Sequence, residues 1–208
     1  MPDNPGGKSV TTRTPTFANW FSEAMKYANY WEFPQVYNKC KELISREDYF
    51  KAIILIESEG IHTFKSGKVK KSCAGAMGFT QLMAATARGL RVDPKDPRQN
   101  LLGGVKYLTE IFSSKHITNI SSGEEKLVMA ACAYNLGPFS KSLKSTWDEF
   151  KLKKGLIEPI TYGLKIKMCL GLELTETEKN LVINYLSPEA GVNNLADNYY
   201  KRAKGIKE

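Results

Sequence analysis

Glu57-Ser58 closes an apolar run. Ser72-Cys73-Ala74-Gly75-Ala76-Met77-Gly78-Phe79-Thr80-Gln81 follows, and Ala133-Tyr134-Asn135-Leu136-Gly137 ends a second apolar run. Together they offer one carboxylic acid, a glutamine beyond a Gly/Ala-rich turn, and a Tyr-Asn pair. Such a set suits acid catalysis, with a single proton donor and neutral hydrogen-bonding groups to position what it protonates. A carboxyl group in a low-dielectric setting keeps its proton toward neutral pH, because burial penalises the charged form. Glu59 is the nearest second carboxylate, but residues two apart do not share a helix face. It is expected to face solvent.

These side chains need elements to hold them. Ser45-Arg46-Glu47-Asp48 supplies an N-cap with acidic residues in the first turn. The helix it opens is expected to run to about Glu57, with Tyr49, Phe50, Ile53, Ile54 and Ile56 making it apolar enough for burial, and Gly60 as its stop. Thr80 to Leu90 reads as a short helix. Asp96-Pro97 caps the next one, where Leu101, Val105, Leu108 and Phe112 fall at helical spacing and Gly103-Gly104 predicts close approach of another helix. Ser122-Gly123-Glu124-Glu125 reads as a capping box for the helix that carries Tyr134, ended by Gly137-Pro138. Thr175-Glu176-Thr177-Glu178 caps a further helix over Leu181 to Leu186. From Phe17 to about Lys41 the chain is rich in rings (Trp20, Phe21, Tyr27, Tyr30, Trp31, Phe33, Tyr37), whose spacing favours core packing over a sugar platform, and Pro34 breaks the segment. Strand signals are few, so the fold class is mainly α.

With 208 residues, 42% of them hydrophobic, the chain is long enough for one well-filled domain with a small appendage. A net charge of +8 suits a polyanionic partner, whether nucleic acid, anionic membrane or cell wall, and equally suits a solvated basic surface. No nucleic-acid-binding motif accompanies the charge. Four cysteines without a CxxC pair, and only two histidines, argue against zinc. Free, partly buried thiols are expected; disulfides stay open, and Cys73 and Cys132, each inside a motif block, are expected near one another. No stretch reaches the roughly 18–20 apolar residues of a membrane span. The opening residues do not read as a signal peptide, so either an export signal has been removed or the protein reaches its target by another route.

The blocks together resemble the catalytic domain of family 1 lytic transglycosylases, of goose-type lysozyme-like fold. The similarity spans about Asp48 to Tyr162. It rests on Ile54-Leu55-Ile56-Glu57-Ser58, on the pattern Ser-x-x-Gly-Ala-x-Gly-x-x-Gln met by Ser72, Gly75, Ala76, Gly78 and Gln81, on Ala133-Tyr134-Asn135-Leu136-Gly137, and more weakly on Glu158-x-x-x-Tyr162. Asn100 to Leu108 resembles the family's connecting helix. The resemblance implies cleavage of the β-1,4 bond between N-acetylmuramic acid and N-acetylglucosamine in peptidoglycan, with a 1,6-anhydro end formed and no metal or cofactor. It assigns Glu57 as acid and then base, Tyr134 and Tyr162 to hold Glu57 or the substrate acetyl group, Ser72 and Gln81 to contact sugars, and Ser58 and Asn135 to bind substrate or fix local backbone.

Three departures stand out. The loop from Glu57 to Ser72 is longer than usual and basic (Lys65, Lys68, Lys70, Lys71), which reads first as solvated charge and, as the alternative, suits attraction of acidic peptide stems. Thr80 stands where Met is usual, which is expected to change one sugar-ring contact, and Ala84 replaces a typical Pro.

The expected organisation is a flexible arm over 1–16, a catalytic domain over 17–162, and a C-terminal helical extension over 163–208 packed on it. The partner is the peptidoglycan glycan strand, met by a monomer in the periplasm or cell wall, or delivered by a virion or secretion apparatus. Nucleic acid and an integral membrane segment are not expected. Two rival readings remain: a muramidase, which needs a second acid such as Asp93 or Asp96, and a wall-anchoring module without activity.

Overall fold

The computed structural model describes residues 16–186 and 191–206. The arm expected over 1–16 therefore lies outside the described residues, except for Thr16, which is the N-cap of the first helix. The helices are α1 (Phe17–Met25), continued by a 3-10 turn (Lys26–Tyr30), α2 (Arg46–Ser58), α3 (Ala84–Gly89), α4 (Pro97–Phe112), α5 (Lys115–Thr118), α6 (Gly123–Leu136), α7 (Trp147–Phe150), α8 (Ile157–Leu170), α9 (Glu176–Tyr185) and α10 (Val192–Lys204). The architecture is the mainly helical one expected. Among the described residues the only β pairings are isolated bridges, such as Thr63 with Val69 and Met77 with Leu82.

Helix α6 runs through the centre, with Leu127 to Tyr134 buried without interruption. A helix that is apolar on every face can only be satisfied by neighbours on every side, and α4 and α8 pack against it. Helix α2 packs against α8, and the buried Tyr49 hydroxyl of α2 donates to the Leu127 carbonyl of α6 at 2.9 Å. Glu57 on α2 and Tyr134 on α6 are thus held by helices with little freedom to shift. Helix α8 continues unbroken through Tyr162 to Leu170, and α10 packs on both α8 and α2.

The caps are local and mostly follow the sequence. Ser45 and Asp48 form a complete capping box, as do Thr175 and Glu178, and Asp96 accepts from the Gln99 amide at N3. The Ser122 box is only half made. Its hydroxyl caps Glu125, but the Glu125 carboxylate turns away to accept the Trp147 backbone N–H at 2.7 Å.

The ring-rich N-terminal segment divides. Phe21 and Trp31 are core residues, Trp31 packing with Phe33, Tyr49 and Phe112, whereas Tyr27, Tyr30 and Tyr37 are exposed. All four cysteines are free, and Cys73 and Cys132 form no bond to one another, Cys73 being exposed and Cys132 buried. Cys132 instead lies against the Pro159 carbonyl at 3.3 Å. No described helix is long and apolar enough to cross a membrane.

Candidate active site

Helix α2 ends at Ser58, one residue past its expected end, and Glu59, not Gly60, takes the first left-handed position (φ 57°). The C-terminus is closed from outside by the basic loop. Lys70 reaches back and its ammonium donates to the Ser58 carbonyl at 2.7 Å, where a cation also favours the negative end of the helix dipole. Lys70 is therefore a helix-capping group, while Lys65, Lys68 and Lys71 stay exposed. Glu59 is exposed, as expected, and faces Arg202 of α10 at 3.6 Å.

Glu57 is only partly accessible, beside the buried tyrosines of α6 and α8. The Tyr162 hydroxyl donates to its Oε1 at 2.7 Å. Tyr134 lies next to Tyr162, ring centroids 6.5 Å apart, and Tyr107 of α4 meets Tyr134 edge-on at 5.0 Å. Burial among these rings raises the Glu57 carboxyl to a pKa of about 7. The Tyr162 hydrogen bond pulls it down, the Glu158 carboxylate pushes it up, and Lys165 opposes Glu158. Burial likewise drives Tyr134 and Tyr162 well above the ordinary phenol range, so both remain neutral donors.

The glutamine turn is built differently from the short helix expected over Thr80 to Leu90. Helix α3 begins only at Ala84, and Gln81 itself is left-handed (φ 45°), its side-chain amide donating to the Gly78 carbonyl at 2.7 Å. Thr80, expected to alter a sugar contact, is fully buried and points inward. Its hydroxyl and amide bond Asn100, and its carbonyl accepts the Tyr134 hydroxyl at 2.8 Å. Tyr134 thus anchors the turn, while Tyr162 alone of the two tyrosines holds Glu57. Gly103 and Gly104 do create a close approach, but to this turn more than to a helix: a Cβ would come within 2.5 Å of Leu82 at Gly103 and of Thr80 at Gly104.

His62, from the long loop, completes the support. It is buried, its ring tilted against Phe79 with centroids 5.0 Å apart, and bonded at one ring nitrogen to the Phe79 amide and at the other to the Lys95 carbonyl. Gly78 at φ +79° lies under it, so an added Cβ would meet His62 at 2.6 Å and Asn100 at 2.5 Å. Gly78→Ala combines left-handed strain with overlap onto two anchored side chains. We expect a loss of about 2 kcal/mol or more, read as a lowered urea midpoint.

Of the remaining expected site residues, Ser72 is exposed and its hydroxyl accepts the Ala76 amide at 3.0 Å. Ser58 is fully buried and donates back to the Ile54 carbonyl, which leaves it in a local backbone role and out of reach of a ligand. Asn135 donates to Glu158 at 3.2 Å. Asp93 and Asp96 each accept a local backbone amide, from Lys95 and from Gln99. The carboxylate that does act on Glu57 is Glu158, one helical turn before Tyr162. Its signal was present in the Glu-x-x-x-Tyr spacing, since residues four apart share a helix face. Tyr107 was visible only as part of the connecting-helix block.

Residues 37–154, more than half of the chain, match the family model of the transglycosylase SLT domain. The chain belongs to that family. The matched stretch of the SLT domain contains Glu57, Ser72, Gln81, Tyr134 and Asn135 and stops short of Glu158 and Tyr162. Membership supports a lytic-transglycosylase-type activity on peptidoglycan. No solved structure matches the chain.

Proposed function

We propose that this SLT domain cleaves the β-1,4 bond between N-acetylmuramic acid and N-acetylglucosamine without adding water, leaving a 1,6-anhydro-N-acetylmuramyl end. The observation that carries the proposal is Glu57, whose carboxyl keeps its proton up to about pH 7 while Tyr162 fixes its orientation. With Oε1 held by Tyr162, the proton sits on Oε2 and is delivered to the glycosidic oxygen as that bond breaks. The departing strand takes the proton. The cation developing at the anomeric carbon is met by the substrate's own acetamido oxygen, so the enzyme needs no carboxylate nucleophile of the kind many glycosidases use.

Glu57, now a carboxylate in a low-dielectric setting, is a strong base. It takes the proton of the sugar's 6-hydroxyl, whose oxygen closes onto the anomeric carbon. The acid is regenerated and every proton is accounted for. Gln81, held by its bond to Gly78, and exposed Ser72 contact the sugars. Asn135, tied to Glu158, lines the same side as Tyr162. The site of action is the peptidoglycan layer, in the periplasm or cell wall.

Digestion of purified sacculi followed by mass analysis of the released muropeptides tests this. Anhydro ends support it. Ends heavier by one water would instead make the enzyme a muramidase, with Glu158 as the carboxylate to examine. No release by folded protein would overturn the enzymatic reading.

A further inference from the structure

Tyr27 and Tyr30 break the pattern of their segment. Phe21 and Trp31 on either side are 2% exposed, whereas Tyr27 is 44% and Tyr30 73% exposed. Both rings border a groove of about 420 Å³ between the 3-10 turn and α4, completed by Leu90, Lys106, Thr109 and Glu110. The Lys106 ammonium donates to the Leu90 carbonyl at 3.2 Å and ties the two sides together.

One chain of packed side chains joins the groove to the active site. Tyr107 packs on Tyr134 beside Glu57 and also on the cluster of Leu82, Ala87 and Leu90, and Leu90 is itself a wall of the groove. Lys106 and Glu110 flank Tyr107 on the same helix. Its lining also indicates what fits. A pyranose ring presents an apolar face edged by hydroxyls, which matches exposed phenol rings flanked by an ammonium and a carboxylate. One lysine against one glutamate leaves the groove without net charge, so a polyanion gains nothing there despite the basic character of the chain. Tyr27 and Tyr30 precede residue 37, where the family match begins, so the two rings come from chain outside the matched stretch, while Leu90, Lys106, Thr109 and Glu110 lie within it.

We infer that this groove is a distal glycan subsite, in which Tyr27 and Tyr30 stack on sugar rings of the strand whose scissile bond lies at Glu57. The inference rests on the function proposed above. A strand long enough to fill both places gains contact that a short one lacks, so the enzyme favours long strands.

The test uses Glu57→Gln protein, which leaves the ligand intact, titrated by calorimetry with a peptide-free tetrasaccharide and with strands several repeats longer. Long strands should bind about tenfold more tightly than the tetrasaccharide, and adding Tyr27→Ala and Tyr30→Ala should remove most of that preference. Tyr27→Trp with Tyr30→Trp should retain it, which separates stacking from damage to the fold. A length preference that survives both alanines, or none in the Glu57→Gln protein, overturns the subsite and leaves the proposed activity standing. Failure to bind glycan of either length overturns both.

Discussion

Glu57→Gln should reduce muropeptide release by about 10⁴-fold, the upper end of what one acid–base group contributes, because the same group acts in both halves of the reaction. Glutamine keeps an oxygen to accept the Tyr162 hydroxyl, so the geometry survives and the loss reports the missing proton. The same substitution should stabilise the protein at alkaline pH. The folded-state pKa of Glu57 is raised from 4.5 to about 7. Below the lower value both folded and unfolded chains are protonated and Glu57 contributes nothing. Between the two values the unfolded chain ionises first, so stability falls as pH rises, and above about 7 the full penalty of a buried carboxylate is present. Removing the charge should then recover roughly 3 kcal/mol at alkaline pH and almost nothing in acid. Melting curves of the two proteins across pH would show this as lines that diverge upward from a common acid value. A loss of activity together with a loss of stability at every pH would mean that Glu57 holds the fold and not the proton.

The largest expected effect on stability lies far from the cleft. Glu178, 1% exposed at the start of α9, accepts from Trp147 Nε1 at 2.6 Å, from Lys167 at 2.8 Å and from the Thr175 amide at 2.8 Å. Lys167 is itself buried and also meets Glu124 at 2.8 Å. Burial works against the Glu178 charge, but the bonds from Lys167, Trp147 and Thr175 outweigh it and hold the carboxyl below its ordinary value. The network fastens α9 to α6, α7 and α8. Glu178→Ala leaves a buried ammonium short of its partner and an indole N–H without an acceptor, and should cost about 3–5 kcal/mol in urea unfolding. Because the folded pKa is depressed, this stabilisation is present above the unfolded value and is lost as pH falls through the folded one. The deficit of the variant should therefore be large at neutral pH and shrink in acid. A deficit under about 1 kcal/mol at neutral pH would show that the cluster contributes little.

What the sequence revealed and what it hid divide along the range of the interactions. The caps at Ser45, Asp96 and Thr175 are set by residues three apart and could be read directly. Glu57 at the end of an apolar helix, and Tyr162 as a partner for it, followed from motif order. Thr80 was misjudged because its environment is made by Asn100 and Tyr134, both distant in the chain. The half-made box at Ser122 has the same origin, since Trp147 recruits the glutamate that local spacing assigns to the cap. Gln81 in a left-handed conformation and Lys70 closing α2 also depend on neighbours that propensity does not see. The rings from Trp20 to Tyr37 share one composition, and only packing against α2 and α4 separates the core rings from Tyr27 and Tyr30. Glu178 could be read as a capping residue, but not as the acceptor for Trp147 and Lys167.

The pH dependence of kcat/KM for release of anhydro-muropeptides is the measurement to make first, since it reports the ionisation of the free enzyme's essential acid. If Glu57 starts the reaction as a buried, protonated acid, the rate should hold to about pH 7 and then fall about tenfold per pH unit. A fall that begins near 4.5, the ordinary value for a glutamate, would contradict this. So would a rate unchanged far into the alkaline range.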